Sequence, residues 1–303
     1  MADWDDLRIF LAVARGQSLS RAGRVLKLDA ATVGRRVARL ESAMGALLFT
    51  RSPQGYALTD EGARLMTHAQ AIEAEMTRAQ DALAGPDAGL RGQIRVGAPD
   101  GCANYLLPQV VAAIGAENPG LEVQIVALPR VFNLSRREAD MAIAVSAPAQ
   151  GRLVVQKITD YRLHLAASEA YLAKAPPLAR LSDLQAHRVI GYIPDMIFDP
   201  ELDYLAGIGI EAPVLASNSV SVQLALIRQG AGPGVVHDFA LPFAPGVRRV
   251  LRGDFSLTRS FHLIRHADDR RLPRLERFAH ALVAGLKREV ARLERATAVV
   301  HGD

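Results

Sequence analysis

Eight basic side chains crowd into residues 15–51 (Arg15, Arg21, Arg24, Lys27, Arg35, Arg36, Arg39 and Arg51), against two acidic ones, Asp29 and Glu41. That local balance of +6 (eight minus two) exceeds the formal +4 of the whole 303-residue chain, so the remainder is slightly acidic. Charge concentrated on one small stretch is the footprint of a phosphate-backbone partner, although any single arginine taken alone reads as solvated surface. Other groups offer less chemistry. His262 and His266 are four apart, but they fall on a strand and its exit, with no Glu or Cys nearby to complete a metal site. Gly230–Gly234 follows a helix rather than opening one and lacks a lysine, so it reads as a turn and not a phosphate cradle. No G-x-S-x-G elbow is present, and the carboxylates do not pair into one site. No catalytic residue, metal site or cofactor is expected. Cys102 is the only cysteine, which excludes an intramolecular disulfide. A helix N-terminus beside it would lower its pKa and suit a redox sensor; with no resolving cysteine, a quiet buried or cleft-lining thiol is the plainer reading.

Basic residues read DNA only when an element presents them at groove width. Residues 18–45 (SLSRAGRVLKLDAATVGRRVARLESAMG) divide into two short amphipathic helices joined by a tight turn. Ser18 caps the first, whose apolar positions are Leu19, Ala22, Val25 and Leu26. Asp29 caps the second, which runs toward Met44 and stops at Gly45. In that second helix Val33, Val37 and Leu40 share one face, while Ala31, Gly34, Arg35, Ala38 and Ser42 lie opposite. A slim face tipped with arginine suits insertion into a major groove. An ordinary amphipathic hairpin is the bland alternative.

Residues 46–65 (ALLFTRSPQGYALTDEGARL) continue as two short strands around a turn at Ser52–Gly55, with Thr59 capping a further helix. A hairpin after a helix-turn-helix makes a winged module, with Arg51 placed to reach phosphate or the minor groove. The order Phe10–Ala14, Ser18–Leu26, Val33–Glu41, Gly45, Leu47-Leu48-Phe49-x-Arg51 and Leu58-Thr59-x-x-Gly62 is similar to LysR-type transcriptional regulators. The resemblance is dense over residues 1–65 and looser but collinear beyond. The family usually carries a polar residue, often glutamine, at the position of Ala30, and a serine at that of Gly34. Base readout is therefore expected to lean on Thr32, Arg35 and Arg36. The expected DNA-contacting set is Ser20, Arg21, Ala31, Thr32, Arg35, Arg36, Arg39, Arg51 and Tyr56.

Over residues 59–84 the positions Leu65, Ala69, Ile72, Met76, Ala79 and Leu83 alternate four- and three-residue steps, a 3.5 repeat that predicts a coiled-coil seam. Packing of that stripe on its own domain is the alternative. A paired linker helix is preferred, because no globular core precedes it to absorb the stripe. The segment 84–89 (AGPDAG) then breaks the helix.

From Arg91 strands and helices alternate, which argues for parallel α/β sheets. Strands are read at 93–98, 121–128 and 141–145, with a helix over 106–117. A second group lies at 161–167, 189–192 and 234–237, with a returning strand at 262–265 and a final helix over 272–294. Crossings near Thr159-Asp160 and His266-Ala267 would give two hinged lobes, a plan that resembles the type-2 periplasmic-binding-protein fold of the family's effector domain. Ligands in open α/β domains sit at the carboxyl ends of strands. That selects Asp100, Gly101, Cys102, Pro129, Arg130 and Ser146. Residues 217–222 (SNSVSV) resemble the family's stretch across the cleft and add Asn218 and Ser219. Many relatives hold organic carboxylates with a Ser or Thr near position 100. Here Asp100 would repel an anion unless Arg130 or a proton offset it, or it simply caps its own helix.

The fold class expected is multidomain α/β: a winged helix-turn-helix (1–60), a linker helix for dimerisation (61–88) and a two-lobed effector domain (89–303). The first lobe would take about 89–160 and 267–303, the second about 161–266. The N-terminus lacks an apolar signal core, and no run approaches the ~20 apolar residues of a membrane span, so a cytoplasmic location is expected. The expected function is sequence-specific operator binding modulated by a small-molecule effector, by a homodimer or dimer of dimers, without membrane or enzymatic role. An architectural DNA binder whose α/β domain serves only oligomerisation is the alternative.

Overall fold

The computed structural model describes residues 3–52, 55–84, 89–127, 139–148, 152–210, 212–267, 269 and 272–301. Two compact units divide the chain, essentially before and after residues 88–89. The first holds α1 (Trp4–Gly16), α2 (Leu19–Leu26), α3 (Ala30–Met44), a hairpin of β1 (Phe49–Ser52) and β2 (Gly55–Leu58), and α4 (Asp60–Ala84). Ser18 caps α2 by accepting from Arg21 N, and Asp29 caps α3 by accepting from Thr32 N at 2.7 Å. Gly45 ends α3 in the left-handed conformation that favours glycine. The core gathers Ile9, Phe10, Leu11, Val13, Val33, Val37, Leu40, Leu48 and Phe49.

Two face assignments change. Val25 is 79% exposed rather than packed. It lies six residues after Leu19, about 240° round the helix, whereas Ala22 and Leu26 return to Leu19's side. Gly34 turns toward α2 instead of outward: a Cβ there would sit 3.3 Å from Leu19 Cδ1. The missing side chain lets the two helices approach.

The second unit holds β3 (Gly92–Ala98), α5 (Asp100–Tyr105), α6 (Leu107–Glu117), β4 (Leu121–Ala127), β5 (Met141–Ala144), β6 (Leu153–Ser168) and α7 (Glu169–Leu172). It continues with β7 (Ile190–Gly191), β8 (Leu215–Ala216), α8 (Val220–Arg228), β9 (Gly234–His237), β10 (Val247–Arg249), β11 (Ser256–His266) and α9 (Pro273–His301). Among the described residues its sheet runs β4-β3-β5-β11-β6-β9-β7-β8, with β10 also on β6. β3 is parallel to β4 and β5, and β7 is parallel to β8 and β9. These parallel groups form the two lobes. β6 and β11 pair antiparallel along both, from Leu153–His266 to His164–Ser256.

The crossings are thus internal to two long paired strands. His262–Arg265 pair with β5 in the first lobe, and the register shifts between Phe261 and His262. The return crossing falls at this bulge rather than at 266–267, because a bulge bends a strand without ending its ladder. No helix among the described residues is long and apolar enough to cross a membrane.

Candidate functional site

Two places concentrate polar groups: the arginine-bearing face of the first unit and the meeting of the two lobes. On the first, Ser20, Arg21, Ala31, Arg35 and Arg51 are exposed, and Thr32 and Tyr56 are half-buried. Asp29 accepts from both the backbone N–H and the hydroxyl of Thr32, each at 2.7 Å. The Thr32 hydroxyl bond is the main reason the Asp29 carboxyl sits below its usual range. Arg35 Nη2 donates to Thr32 Oγ1 at 2.9 Å, so its guanidinium is propped at the start of α3. On the hairpin, the Arg51 guanidinium lies 5.6 Å from the centre of the Tyr56 ring, which meets Phe49 edge-on.

Arg36 and Arg39 stand apart from this set. Arg39 donates from Nε and Nη2 to Asp6, both at 2.6 Å, and Arg36 Nη1 bridges Asp5 at 2.5 Å and Asp6 at 3.2 Å. Asp6 is buried. These arginines tie α3 to the first turn of α1. The spacing of the acidic residues at positions 3, 5 and 6 gave no hint of this partnership. Glu41 is likewise internal, accepting from Leu48 N at 2.9 Å and Phe49 N at 3.3 Å.

At the lobes, Asp100 opens α5 but does not cap it; Pro99 is the N-cap and supplies no side-chain bond. Asp100 reaches instead to α8 of the other lobe. Its Oδ2 accepts from Ser219 Oγ at 3.0 Å, Ser221 N at 3.0 Å and Ser221 Oγ at 2.9 Å. Asn104 donates to its Oδ1 at 3.1 Å. Ser219 is the N-cap of α8. Gly101 is buried against the second lobe, where a Cβ would meet Val220 Cγ2 at 3.1 Å and His237 Cε1 at 3.4 Å. Ser146, from the first lobe, donates to Asp199 of the second.

The cleft residues read from sequence do not all join. Asn218 lies next to these contacts, yet its side chain makes no hydrogen bond among the described residues. Pro129 and Arg130 lie outside the described residues. Cys102 is fully buried, and burial pushes its thiol far above the ordinary range, so it is held as an unreactive thiol. Ser221 and Asp199 were missed. Ser221 follows the N-cap serine by two, the place from which a backbone N–H and hydroxyl point out of a helix start, and this is the signal that would have found it. A pocket of about 50 Å³ lies beside the contact within the second lobe, lined by Tyr192, Tyr204 and Gln223 among others.

A family model described as the LysR substrate binding domain matches residues 87–287, and one described as a bacterial regulatory helix-turn-helix protein of the lysR family matches residues 4–63. The chain belongs to the LysR family. It is a LysR-type transcriptional regulator, with an N-terminal helix-turn-helix and a C-terminal effector-binding domain. Among relatives, it is similar to the transcriptional regulator PtxR of Pseudomonas aeruginosa, 27% identical over 252 residues, covering 82% of this chain and 78% of the relative. It is also similar to DgdR of Burkholderia cepacia, 35% identical over 150 residues, 48% of this chain and 50% of that one. Full-length OxyR from Pseudomonas aeruginosa shares the fold, with a TM-score of 0.70 at 19% identity, covering 94% of this chain and 98% of that one. CrgA from Neisseria meningitidis, a LysR-type regulator, follows with a TM-score of 0.58 at 25% identity, covering 93% and 98%.

The seam of this LysR-type chain is divided. Leu65 and the fully buried Ala69 pack into the core of the first unit, and Arg15 forks onto Glu73 at 3.0 and 2.5 Å, binding α4 to α1. A core therefore does precede the stripe and absorbs its first two positions. Ile72 and Met76 remain 43% and 46% exposed, and Ala79 is exposed too. The side chain of Leu83 lies outside the described residues.

Proposed function

We propose that this regulator reads its operator with the start of α3. Thr32 and Arg35 would meet base edges, flanked by Ala31 and by Ser20 and Arg21 of α2, while Arg51 and Tyr56 engage the backbone from the hairpin. Arg36 and Arg39 serve as braces for α3. One observation carries the reading. Among the described residues Arg21, Arg24, Lys27, Arg35 and Arg51 have no ion-pair partner, while both acids of the stretch are spent on N–H and hydroxyl groups within the fold. The outward field is left positive, as phosphate binding requires.

Two chains would pair along Ile72, Met76, Ala79 and Leu83, fixing the spacing of two half-sites, and a dimer of dimers follows if effector domains also associate. The working division is a DNA-binding domain over 1–60, a linker over 61–88 and an effector domain over 89–303. A small molecule would enter between the lobes at Asp100, Gly101, Ser146, Asn218 and Ser219. A regulator rather than a catalyst, it would act in the cytoplasm, where the chromosome is. The test is selection of bound duplexes by the full-length protein, followed by anisotropy titration of the enriched sequence against scrambled duplex. Discrimination that survives Arg35→Ala unchanged would remove α3 from base readout.

A further inference from the structure

We propose that Asp100 is an intramolecular ligand: its carboxylate fills the anion position at the start of α8 and holds the two lobes together with no effector bound. The inference deepens the reading of the interlobe cleft as the effector site and rests on it. Three donors from the second lobe, the Ser219 and Ser221 hydroxyls and the Ser221 N–H, converge on the single oxygen Oδ2 at 2.9–3.0 Å. A free carboxylate would use the same set: hydroxyl and N–H donors at the start of a nine-residue helix, where the helix dipole also favours negative charge. Here the chain supplies the carboxylate itself, from the first lobe.

Two further observations show that the contact is part of a closed interface rather than an isolated pair. Gly101, the next residue, packs so closely on Val220 and His237 that a methyl group would press on them. The Ser146–Asp199 bond repeats the arrangement in reverse, with the hydroxyl from the first lobe and the carboxylate from the second. A free anion entering at α8 would have to displace Asp100 and would then lie against its charge. The native protein therefore excludes an anionic effector from this position, and its effector acts by breaking the Asp100 contact.

Acetate is the probe, because it is the side chain of Asp100 set free. Thermal unfolding of the effector unit is followed in full-length wild type, Asp100→Ala, Asp100→Ser and the double variant Ser219→Ala/Ser221→Ala. Sodium acetate is compared with sodium chloride at equal ionic strength near pH 7.5, where acetate is ionised. Asp100→Ala should unfold several degrees lower and recover part of that loss with a saturable dependence on acetate. Wild type should not respond to acetate. The double serine variant should be lowered but not rescued, since two of the three donors are gone and Asp100 still occupies the third, the N–H of residue 221. If Asp100→Ala does not fold, Asp100→Ser and the serine variant decide the same comparison. An Asp100 variant as stable as wild type, or an equal acetate effect on all four proteins, overturns the proposal. Operator affinity of Asp100→Ala with and without acetate separates the two readings. Rescue of stability with unchanged operator affinity leaves the Asp100 contact standing and removes the cleft from control of DNA binding.

Discussion

Removing the carboxylate of Asp6 tests whether Arg36 and Arg39 brace the DNA-binding unit or read DNA. Asp6→Ala deletes an acceptor that is 2% exposed and receives two bonds from Arg39 at 2.6 Å and one from Arg36 at 3.2 Å. A hydrogen bond to a charged group contributes about 1.5–3 kcal/mol where both partners are dry. Both arginines keep access to water and will rehydrate, so the net loss is discounted to about 1–3 kcal/mol for the cluster. Thermal unfolding of the N-terminal unit should fall accordingly, by about 4–8 °C per kcal/mol for a domain of its size. DNA binding below that transition should move the other way. One negative charge has gone and Arg39 loses both of its hydrogen bonds, while Arg36 keeps Asp5, so affinity for any duplex should rise, with a steeper dependence on salt. Arg39→Ala should weaken the fold but leave the salt slope unchanged. A slope flattened by about 0.9 in Arg39→Ala would mean that this arginine already sits on phosphate, and the bracing argument would fail. Unchanged stability in Asp6→Ala would refute it equally.

Other consequences follow from the same geometry. Arg35→Ala should cost about 1–3 kcal/mol of discrimination between operator and competitor, whereas Arg51→Ala should weaken all duplexes alike; titrations at several salt concentrations separate the two. Ile72→Asp should change the mass in analytical ultracentrifugation, while Leu65→Ala should lower stability and leave the mass unchanged, because only the former faces away from its own core. His237 is buried among Tyr161, Tyr204 and Phe239, and burial dominates over the nearby Asp100 and Asp238 in lowering its pKa to about 4. The unfolded chain takes up a proton below about pH 6.5 that the folded protein refuses, so stability is full above that value. It is lost toward pH 4 by up to about 1.4 kcal/mol per unit. His237→Phe should flatten that slope in pH-dependent unfolding.

Local signals carried the N-terminal reading. Ser18, Asp29 and Gly45 lie where capping chemistry places them, and the α3 core face is Val33, Val37 and Leu40, as periodicity requires. Such features depend on a few neighbouring residues. What escaped was long-range. Arg36 and Arg39 look on a helical wheel like their neighbour Arg35, and only the packing of α1 against α3 brings Asp6 to them. The stripe on α4 has one period throughout, but α1 covers its first part and leaves the rest open. In the effector unit, alternation of strands and helices gave the lobes, while the length of β6 and β11 was hidden. A strand that crosses from one lobe to the next shows no break in its sequence pattern. Asp100 was legible as a charge near the end of a strand, but its partner serines stand 119 and 121 residues away.

The form of the crossing limits how the lobes can move. β6 and β11 stay hydrogen-bonded to each other on both sides of the Phe261/His262 bulge, so the lobes cannot separate about a slack loop. They can only bend and twist a paired ribbon whose ladder is interrupted at one point. Tyr161 and Phe261, both buried, stack there with ring centres 4.2 Å apart. Motion of this kind is of small amplitude and sets two packed arrangements against each other rather than a continuum. The balance between them then depends on few contacts, and each 1.4 kcal/mol of difference shifts it tenfold. A carboxylate with three donors across the gap is large on that scale. On the proposed reading, Asp100 at the start of α5 therefore weighs heavily, together with the Ser146–Asp199 bond, in which arrangement the effector unit holds at rest, and an effector acts by breaking the Asp100 contact.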